Sequence, residues 1–259
     1  MAVLYDPARH EPVAEVAWSE SRARDAIVAI CQDVEAGFAG ERLWPMHPAD
    51  YEPGTAPDGI LRGLYLGAAG VLHALWHLAE QGLYAPRLDA AAIAGRLYEA
   101  SLRSPDEDGA GSSLLVGSSG ILLVADRFAP SATMRDALTD AIAANAQHPA
   151  NDLLLGAPGT MLAARAMYCR THEPRFAQLW RDSARTLLER QQPDGLWTQD
   201  IHGRRLRYIG GSPWLCRQRT RAVLRAAVAR CTGRHRSASV EYRTHVRGLR
   251  RTSRELAPR

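Results

Sequence analysis

Three stretches of this sequence repeat a pair of glycines at one spacing, and the backbone around such glycines can bind polar groups. Each stretch reads Leu-x-x-Gly-x-x-Gly, and the three pairs are Gly67 and Gly70, Gly117 and Gly120, and Gly156 and Gly159. Glycines at a helix start permit a tight turn and leave the first backbone N–H groups pointing outward. The helix dipole there favours anionic or polar substrate groups. We therefore predict that the six glycines form substrate-cavity turns; the alternative is that they serve helix packing only.

The elements that would position these turns are helices of two kinds. The segments after the glycine pairs are apolar on nearly all sides, whereas the segments between them carry one apolar stripe at helical spacing. The stripes are Ile27 to Phe38, Ile93 and Leu97, Met134 to Ile142, and Phe176 to Leu188. The first glycines of the three copies are separated by 50 and 39 residues, a period typical of repeated helical hairpins. The predicted fold class is all-α, with inner helices surrounded by amphipathic outer helices.

Two groups of residues could bind a metal. His73 and His77 are four residues apart and would share one face of a helix. Neither a Glu in the H-E-x-x-H pattern nor a third ligand accompanies them. Cys216, Cys231 and His235 have a spacing that part of a zinc site could use, but a fourth ligand is not evident. We interpret the histidine pair as structural and the second group as coincidental, so no metal ligand is assigned.

Composition and charge bear on the location and the partners of the chain. Residues 1–20 are polar without a signal-peptide core, and no apolar stretch approaches the roughly 20 residues that span a bilayer. Four Cys in 259 residues do not form a disulfide framework. All 32 basic residues are Arg, and 13 of them lie in residues 212–259 beside two acidic residues. Such an arm normally indicates nucleic acid or anionic membrane as partner, but we expect neither and predict a cytoplasmic protein.

Three glycine pairs in register at this period resemble the lanthionine synthetase C-like (LanC-like) family. The resemblance covers about residues 58–210, and residues 63–70 are its most typical stretch. It implies an α/α toroid, which is a double ring of helical hairpins around a cavity. Bacterial members of the family form the thioether rings of lantibiotics by adding Cys thiols of a precursor peptide to its dehydroamino acids. They use a zinc ion held by two Cys and one His in the later repeats.

The sequence departs from the family pattern after the third copy. It contains no His-Gly-x-x-Gly and no Cys-His-Gly motif. The resemblance therefore implies an incomplete toroid without zinc, a precursor peptide as partner, no assignable catalytic residue and no activity. Two alternatives stay open. One is a carbohydrate-active α/α toroid, for which no convincing carboxylate pair is present, and the other is a non-enzymatic protein that binds through its basic arm.

The pattern breaks where the Arg-rich stretch begins, and we hypothesise that one inserted base near Gly211 shifted the reading frame. Back-translation of Ser212 to Arg219, read one base later, permits the string His-Gly-Phe-Ala-Gly-Asn, which contains the missing motif. Residues 1–211 would then be a partial toroid, and residues 212–259 an out-of-frame tail that is disordered or irregular. A genuine basic tail is the alternative, and the nucleotide sequence decides between the two.

Two kinds of smaller feature have structural interpretations. Cys31, in an apolar stripe, and Cys169, near the end of an inner helix, are expected in the core as small apolar side chains. The stretch Asp194 to Trp197 reads Asp-Gly-Leu-Trp and resembles turns found in many α/α toroids. We predict that it ends a helix and packs its Trp, rather than supplying a catalytic Asp.

Overall fold

A computed structural model describes the protein over residues 16–46, 60–103, 111–201 and 203–207. Within these ranges the chain is mainly helical, which confirms the predicted all-α class. The helices are α1 Glu20–Ala36, α2 Ala68–Glu80, α3 Ala90–Arg103, α4 Ser118–Phe128, α5 Ala132–Asn145, α6 Ala157–Thr171 and α7 Pro174–Glu189. A 3-10 turn covers Gly40–Arg42, and two short antiparallel strands are β1 Gln199–Ile201 and β2 Arg204–Leu206. None of the described helices combines the length and the apolar composition that a bilayer span requires.

Two kinds of helix start alternate along the chain. Gly67, Gly117 and Gly156 stand in extended conformation directly before α2, α4 and α6, as the glycine spacing predicts. Polar side chains start two of the other helices: Ser131 caps α5, and Asp89 accepts hydrogen bonds from backbone N–H groups of the first turn of α3. These side chains satisfy N–H groups that have no partner within the helix.

The helices pack in an order that follows the chain. α2, α4 and α6 contact one another in that sequence, and we refer to them as the inner helices. α3 contacts both α2 and α4, α5 contacts both α4 and α6, and α7 contacts α6 and α5. α3, α5 and α7 are therefore the outer helices, and α3 and α5 each bridge two neighbouring inner helices.

The core is divided into clusters that lie between neighbouring hairpins. The first cluster joins α2, α3 and α4 and includes Leu72, Leu97 and Val124. The second joins α4, α5, α6 and α7 and includes Met167 and Phe176. Burial of each helix against its neighbours in the sequence is typical of repeat proteins.

Helix α1 joins this body near its C-terminal end through Glu35. The Glu35 carboxylate accepts hydrogen bonds from the Tyr84 hydroxyl at 2.6 Å and from the backbone N–H groups of Arg87 and Leu88 at 2.6 and 3.2 Å. Burial raises the pKa of Glu35, but these hydrogen bonds and the charge of Arg87 outweigh it, so the pKa lies below its ordinary 4.5. The ionised carboxylate thus ties α1 to the connection between α2 and α3.

Two expectations about core positions were wrong. Cys31 is buried as predicted, but Ile30 from the same stripe is 63% exposed. Cys169, which was expected in the core, is exposed on α6. It lies two residues beyond the buried Met167, which is roughly 200° around the helix. An exposed Cys at this position follows from helical geometry once the buried face of α6 is known.

The chain after α7 confirms one prediction and departs from another. It turns at Gly195, whose φ is 81°, and the buried Trp197 donates its indole N–H to the carbonyl of Leu187 at 2.6 Å. This is the predicted helix-ending turn with a packed Trp. The strands β1 and β2 follow this turn, and they depart from the predicted all-α class. Strands of three residues are too short to show the alternation by which strands are recognised in a sequence.

Candidate functional site

The second glycine of each pair lies where the helix meets the backbone of its own preceding turn. A Cβ built on Gly70, Gly120 or Gly159 would come closer than 3.0 Å to a carbonyl oxygen six residues earlier, a separation that real Cβ atoms essentially never show. The three carbonyls belong to Leu64, Leu114 and Leu153. Close backbone approach therefore requires these glycines, which supports the packing interpretation of the repeat.

Successive glycine turns also pack against one another. A Cβ on Gly120 would lie 2.8 Å from the Cβ of Leu64, which belongs to the preceding turn. In the same way, a Cβ on Gly159 would lie 3.2 Å from the Cβ of Leu114. One leucine-on-glycine contact is thus used twice, and it links the first turn to the second and the second turn to the third.

The first N–H groups of α2 are not offered to a ligand, contrary to the interpretation from the sequence. The N–H groups of Ala68 and Ala69 donate to the carbonyls of Leu61 and Arg62 at 2.9 and 3.1 Å. The glycine turn folds back onto the helix and satisfies these donors internally. An anion site at this helix start is therefore not supported.

A groove of about 510 Å3 lies against α2, α4 and α6, and it is defined as the inner groove. Its apolar lining consists of Leu64, Leu114, Leu123, Val124, Leu162 and Ala166. Its polar lining consists of His73, Glu80, Arg127 and Arg170. None of the six predicted glycines occurs among the described residues that line it. The first two glycine turns reach the groove through Leu64 and Leu114 instead.

Most of the polar lining comes from the C-terminal ends of the inner helices. Glu80 is the last residue of α2, and Arg127 and Arg170 lie in the last turns of α4 and α6, where the carbonyl ends of helices favour cations. Arg127 reaches across to α2, donates to Nδ1 of His73 at 3.2 Å and pairs with Glu80. The groove therefore has an apolar part, which includes Leu64 and Leu114 from the first two glycine turns, and a polar end at the C-terminal ends of the inner helices.

The hydrogen bond from Arg127 fixes the protonation state of His73. A guanidinium has only donors, so Nδ1 of His73 accepts and the neutral imidazole carries its proton on Nε2. Partial burial, the charge of Arg127 and the neighbouring His77 lower the pKa of His73 below its ordinary 6.5, and Glu80 acts in the opposite direction. At neutral pH, His73 therefore presents an N–H donor rather than a free basic nitrogen.

A second network lies beside the groove and holds Arg170. The side chain of Asp126 is 1% exposed and accepts hydrogen bonds from the Arg135 guanidinium at 3.2 Å, from the Ser131 N–H at 3.1 Å and from Arg170. Arg135 extends the network to Glu173 at 3.1 Å. One buried carboxylate thus joins α4, α5 and α6, and it fixes the position from which Arg170 enters the groove.

The guanidinium of Arg170 has donors that the described residues leave unused. Burial lowers its pKa, and the charges of Arg135 and Arg127 act in the same direction while Asp126 opposes them. Only Nη2 has contacts within hydrogen-bonding range in the described part of the chain, to Asp126 and to Sδ of Met167 at 2.8 Å. Nε and Nη1 therefore remain as donors for a ligand.

The described residues do not fit the zinc that the family resemblance implies. His73 and His77 share a face of α2 with their ring centroids 6.2 Å apart, but Nδ1 of His73 already faces Arg127. No group of three His, Cys, Asp or Glu in the described ranges could hold a metal ion. Cys31 is buried on α1, and Cys169 is exposed on α6 without lining the groove. The other candidate group, Cys216, Cys231 and His235, lies outside the described residues.

Sequence reasoning missed Glu80, Arg127 and Arg170 as parts of a site. With 32 Arg in the chain, residue type alone does not single out any of them. A usable signal is the spacing on the inner helices, because Leu123 and Ala166 each lie four residues before one of these Arg and share a helix face with it. A cation near the end of a helix that is apolar on nearly all sides marks the polar end of an inner surface.

Comparisons with protein-family models, with curated proteins and with solved structures found no match to this chain. Its function is therefore inferred from the groove and from the glycine turns. Apolar walls combined with a few convergent polar groups are typical of ligand-binding sites.

Proposed function

We propose that this chain is a LanC-like protein of the cytoplasm and that its helical hairpins form part of an α/α toroid. Its inner groove would bind a precursor peptide that contains dehydroamino acids and Cys. Three observations support the proposal: the repeated glycine turns, the packing of the inner helices in sequence order, and the chemistry of the groove.

The stacking of the glycine turns carries the proposal. The same leucine-on-glycine contact joins the first turn to the second and the second to the third. The N–H of Tyr65 also donates to the carbonyl of Leu115 at 2.8 Å, which adds a backbone link between the first two turns. Repetition of one contact between neighbours is how repeat proteins build a curved row of helices. A toroid is such a row continued around a cavity.

The inner groove suits a peptide with dehydroamino acids. Dehydroalanine and dehydrobutyrine are small and largely apolar, and Leu123 and Leu162 offer them apolar contact. Peptide carbonyls need donors when they leave water, and His73 and Arg127 provide donors at the polar end. The volume of about 510 Å3 lies in the range of sites that enclose small ligands, so a short stretch of peptide would occupy it.

We further propose that the chain binds this peptide without closing thioether rings. In the family, zinc lowers the pKa of the peptide thiol and so supplies the thiolate nucleophile. The described residues do not fit such a metal, and Nδ1 of His73 is engaged by Arg127 rather than available to accept a thiol proton. Peptide binding and peptide modification are therefore separable in this protein.

Binding of a dehydrated precursor peptide to the full chain tests the proposal. In an anisotropy titration, a labelled peptide with dehydroalanine and Cys should bind, and Leu162→Asp in the groove should weaken binding by about tenfold or more, because a charge is placed on an apolar contact. Leu188→Asp on α7 is the matched control, since both leucines are 40% exposed and Leu188 is not among the described groove residues. No binding by the unmodified chain, or equal loss in both variants, would rule the proposal out.

Alkylation of the peptide Cys tests the second part. After incubation with the protein, the Cys should remain fully reactive toward an alkylating reagent, because no ring has consumed its thiol. Protein-dependent loss of the reactive thiol would show that the chain is a cyclase after all.

The carbohydrate-active alternative has less support. Glycoside hydrolysis uses two carboxyl groups that flank one bond. Among the described residues that line the groove, Glu80 is the only carboxylate, and it pairs with Arg127. The alternative that depends on the basic arm concerns residues outside the described ranges.

A further inference from the structure

We infer that the polar end of the inner groove is a carboxylate-binding site, built from Arg127, Arg170 and His73, that selects ligands in which a carboxylate adjoins apolar groups. The identity of this ligand as a segment of the precursor peptide rests on the proposed function. The site itself rests only on the geometry of the groove.

The donors at this end exceed the acceptors around them. Arg127 uses Nη1 for His73 and Nη2 for Glu80. In the described part of the chain, Arg170 bonds only through Nη2, and His73 carries a proton on Nε2. A carboxylate accepts several N–H groups at once, and its hydrogen bonds to guanidinium are among the stronger ones in proteins.

The unused guanidinium donors favour an anion over a neutral carbonyl. Glu80 pairs with Arg127, Asp126 pairs with Arg170 and Arg135, and Glu173 also pairs with Arg135. Among the described residues, none of these carboxylates accepts a hydrogen bond from Nε or Nη1 of Arg170. Hydrogen bonds from these two atoms to an ionised carboxylate would be stronger than bonds to a neutral carbonyl, because both partners then carry a charge.

The apolar lining next to the guanidinium groups determines what else the ligand must contain. Leu123 lies one helical turn before Arg127 on α4, and Ala166 lies one turn before Arg170 on α6. Apolar surface therefore adjoins each cation. A peptide meets both requirements with a C-terminal carboxylate after apolar residues, or with an acidic side chain within an apolar stretch.

Four short peptides separate these sources and test the site on the unmodified full chain. The first is N-acetyl-Ala-Val-Leu-Ala with a free C-terminal carboxylate, and the second is its C-terminal amide. The third and fourth are amides with Glu or Gln in place of the last residue. We expect at least one of the two carboxylate peptides to bind about tenfold or more tightly than its neutral counterpart in calorimetric titrations. The pair that shows this gain identifies the carboxylate as a C-terminus or as a side chain. Equal affinities within both pairs would overturn the inference.

A variant then assigns the gain to the groove. Arg127→Gln should bring the affinity of the preferred acid down to that of its amide, while Arg181→Gln on α7 should leave it unchanged. Arg127 is chosen because its partner Glu80 is 57% exposed and tolerates the loss, whereas Arg170 is bonded to the buried Asp126. An acid preference that survives Arg127→Gln would place the carboxylate elsewhere and overturn the inference.

The outcomes distinguish this inference from the proposed function. If the dehydrated precursor binds but acids and amides bind equally, the carboxylate site is wrong and the proposed function stands. If the short acids bind selectively but the dehydrated precursor does not bind, the proposed function fails and the carboxylate site stands.

Discussion

Arg127 on α4 donates a hydrogen bond to Nδ1 of His73 on α2 at 3.2 Å. Because a guanidinium has no acceptor, a second proton on His73 would face a donor and lose this bond. The contact therefore keeps His73 neutral and leaves its Nε2 proton for a ligand. It also joins two inner helices across the groove that they form.

Replacement of Arg127 by Gln should raise the pKa of His73. Partial burial is the main cause of the lowered pKa, and the charge of Arg127 is the next, so removing that charge weakens the effect. An NMR titration of the His73 ring in the full chain measures the change. Arg181→Gln, on the exposed face of α7, should leave the titration unaltered. An identical His73 pKa with and without Arg127 would be inconsistent with the described contact.

Replacement of Gly120 by Ala should destabilise the protein, by about 1–3 kcal/mol as in other overpacked cores. The added methyl would collide with the Leu114 carbonyl and with the Cβ of Leu64, neither of which can move away freely. Urea denaturation measures the free energy of unfolding. Gly95→Ala in α3 is the matched control, because a Cβ there has nothing within 4 Å. It should instead stabilise the chain by about 0.5–1 kcal/mol through helix propensity. Equal effects at both positions would remove the packing basis of the repeat.

Replacement of Asp126 by Ala should lower the free energy of unfolding by about 2–4 kcal/mol, since it leaves two guanidinium groups without their buried partner. Asp126 is 1% exposed on its side chain, while Arg135 and Arg170 are 31% and 34% exposed, so the loss is partly relieved by solvent. The control is Asp182→Ala, which removes an exposed pair with Arg185 and should change stability by less than about 0.5 kcal/mol. A loss at Asp126 no larger than at Asp182 would show that the carboxylate does not join the three helices.

The stability of the protein should fall in acid partly through Glu35. Its pKa in the folded chain lies below the ordinary 4.5, so its contribution is fully present above pH 4.5 and is lost as the pH falls through the folded-state pKa. Urea denaturation at a series of pH values should show a shallower decline for Glu35→Gln than for the unmodified protein. Glu20→Gln, in an exposed pair with Arg24, should keep the original slope. Parallel slopes for Glu35→Gln and the unmodified chain would show that the Glu35 carboxylate does not stabilise the attachment of α1.

The helix starts could be predicted from the sequence because their cause is local. A glycine pair such as Gly67 and Gly70 marks the start of its helix through backbone geometry, and the same spacing recurs twice. Helical periodicity likewise identified the outer helices, and Trp197 was expected to pack after α7. Each of these features depends on residues close together in the chain.

The polar end of the groove could not be predicted, because its residues meet only after three inner helices pack side by side. Arg127 and His73 are 54 residues apart in the chain, and Arg170 and Asp126 are 44 apart. The interpretation of the glycine turns as anion sites failed at α2 for a similar reason. The N–H group of Ala68 is one case. The sequence alone does not show that the preceding chain folds back so that the carbonyl of Leu61 accepts this hydrogen bond.

A photo-crosslinking group placed in the inner groove tests the central claim most directly. With p-benzoylphenylalanine in place of Leu162, which lines the groove, illumination with a labelled dehydrated precursor should give a product of one peptide per chain. The same group in place of Leu188 on α7 or of Ile30 on α1, both exposed, is the control. We predict a crosslinked product from position 162 and little from the two outer positions; product from the outer positions with none from position 162 would contradict the account.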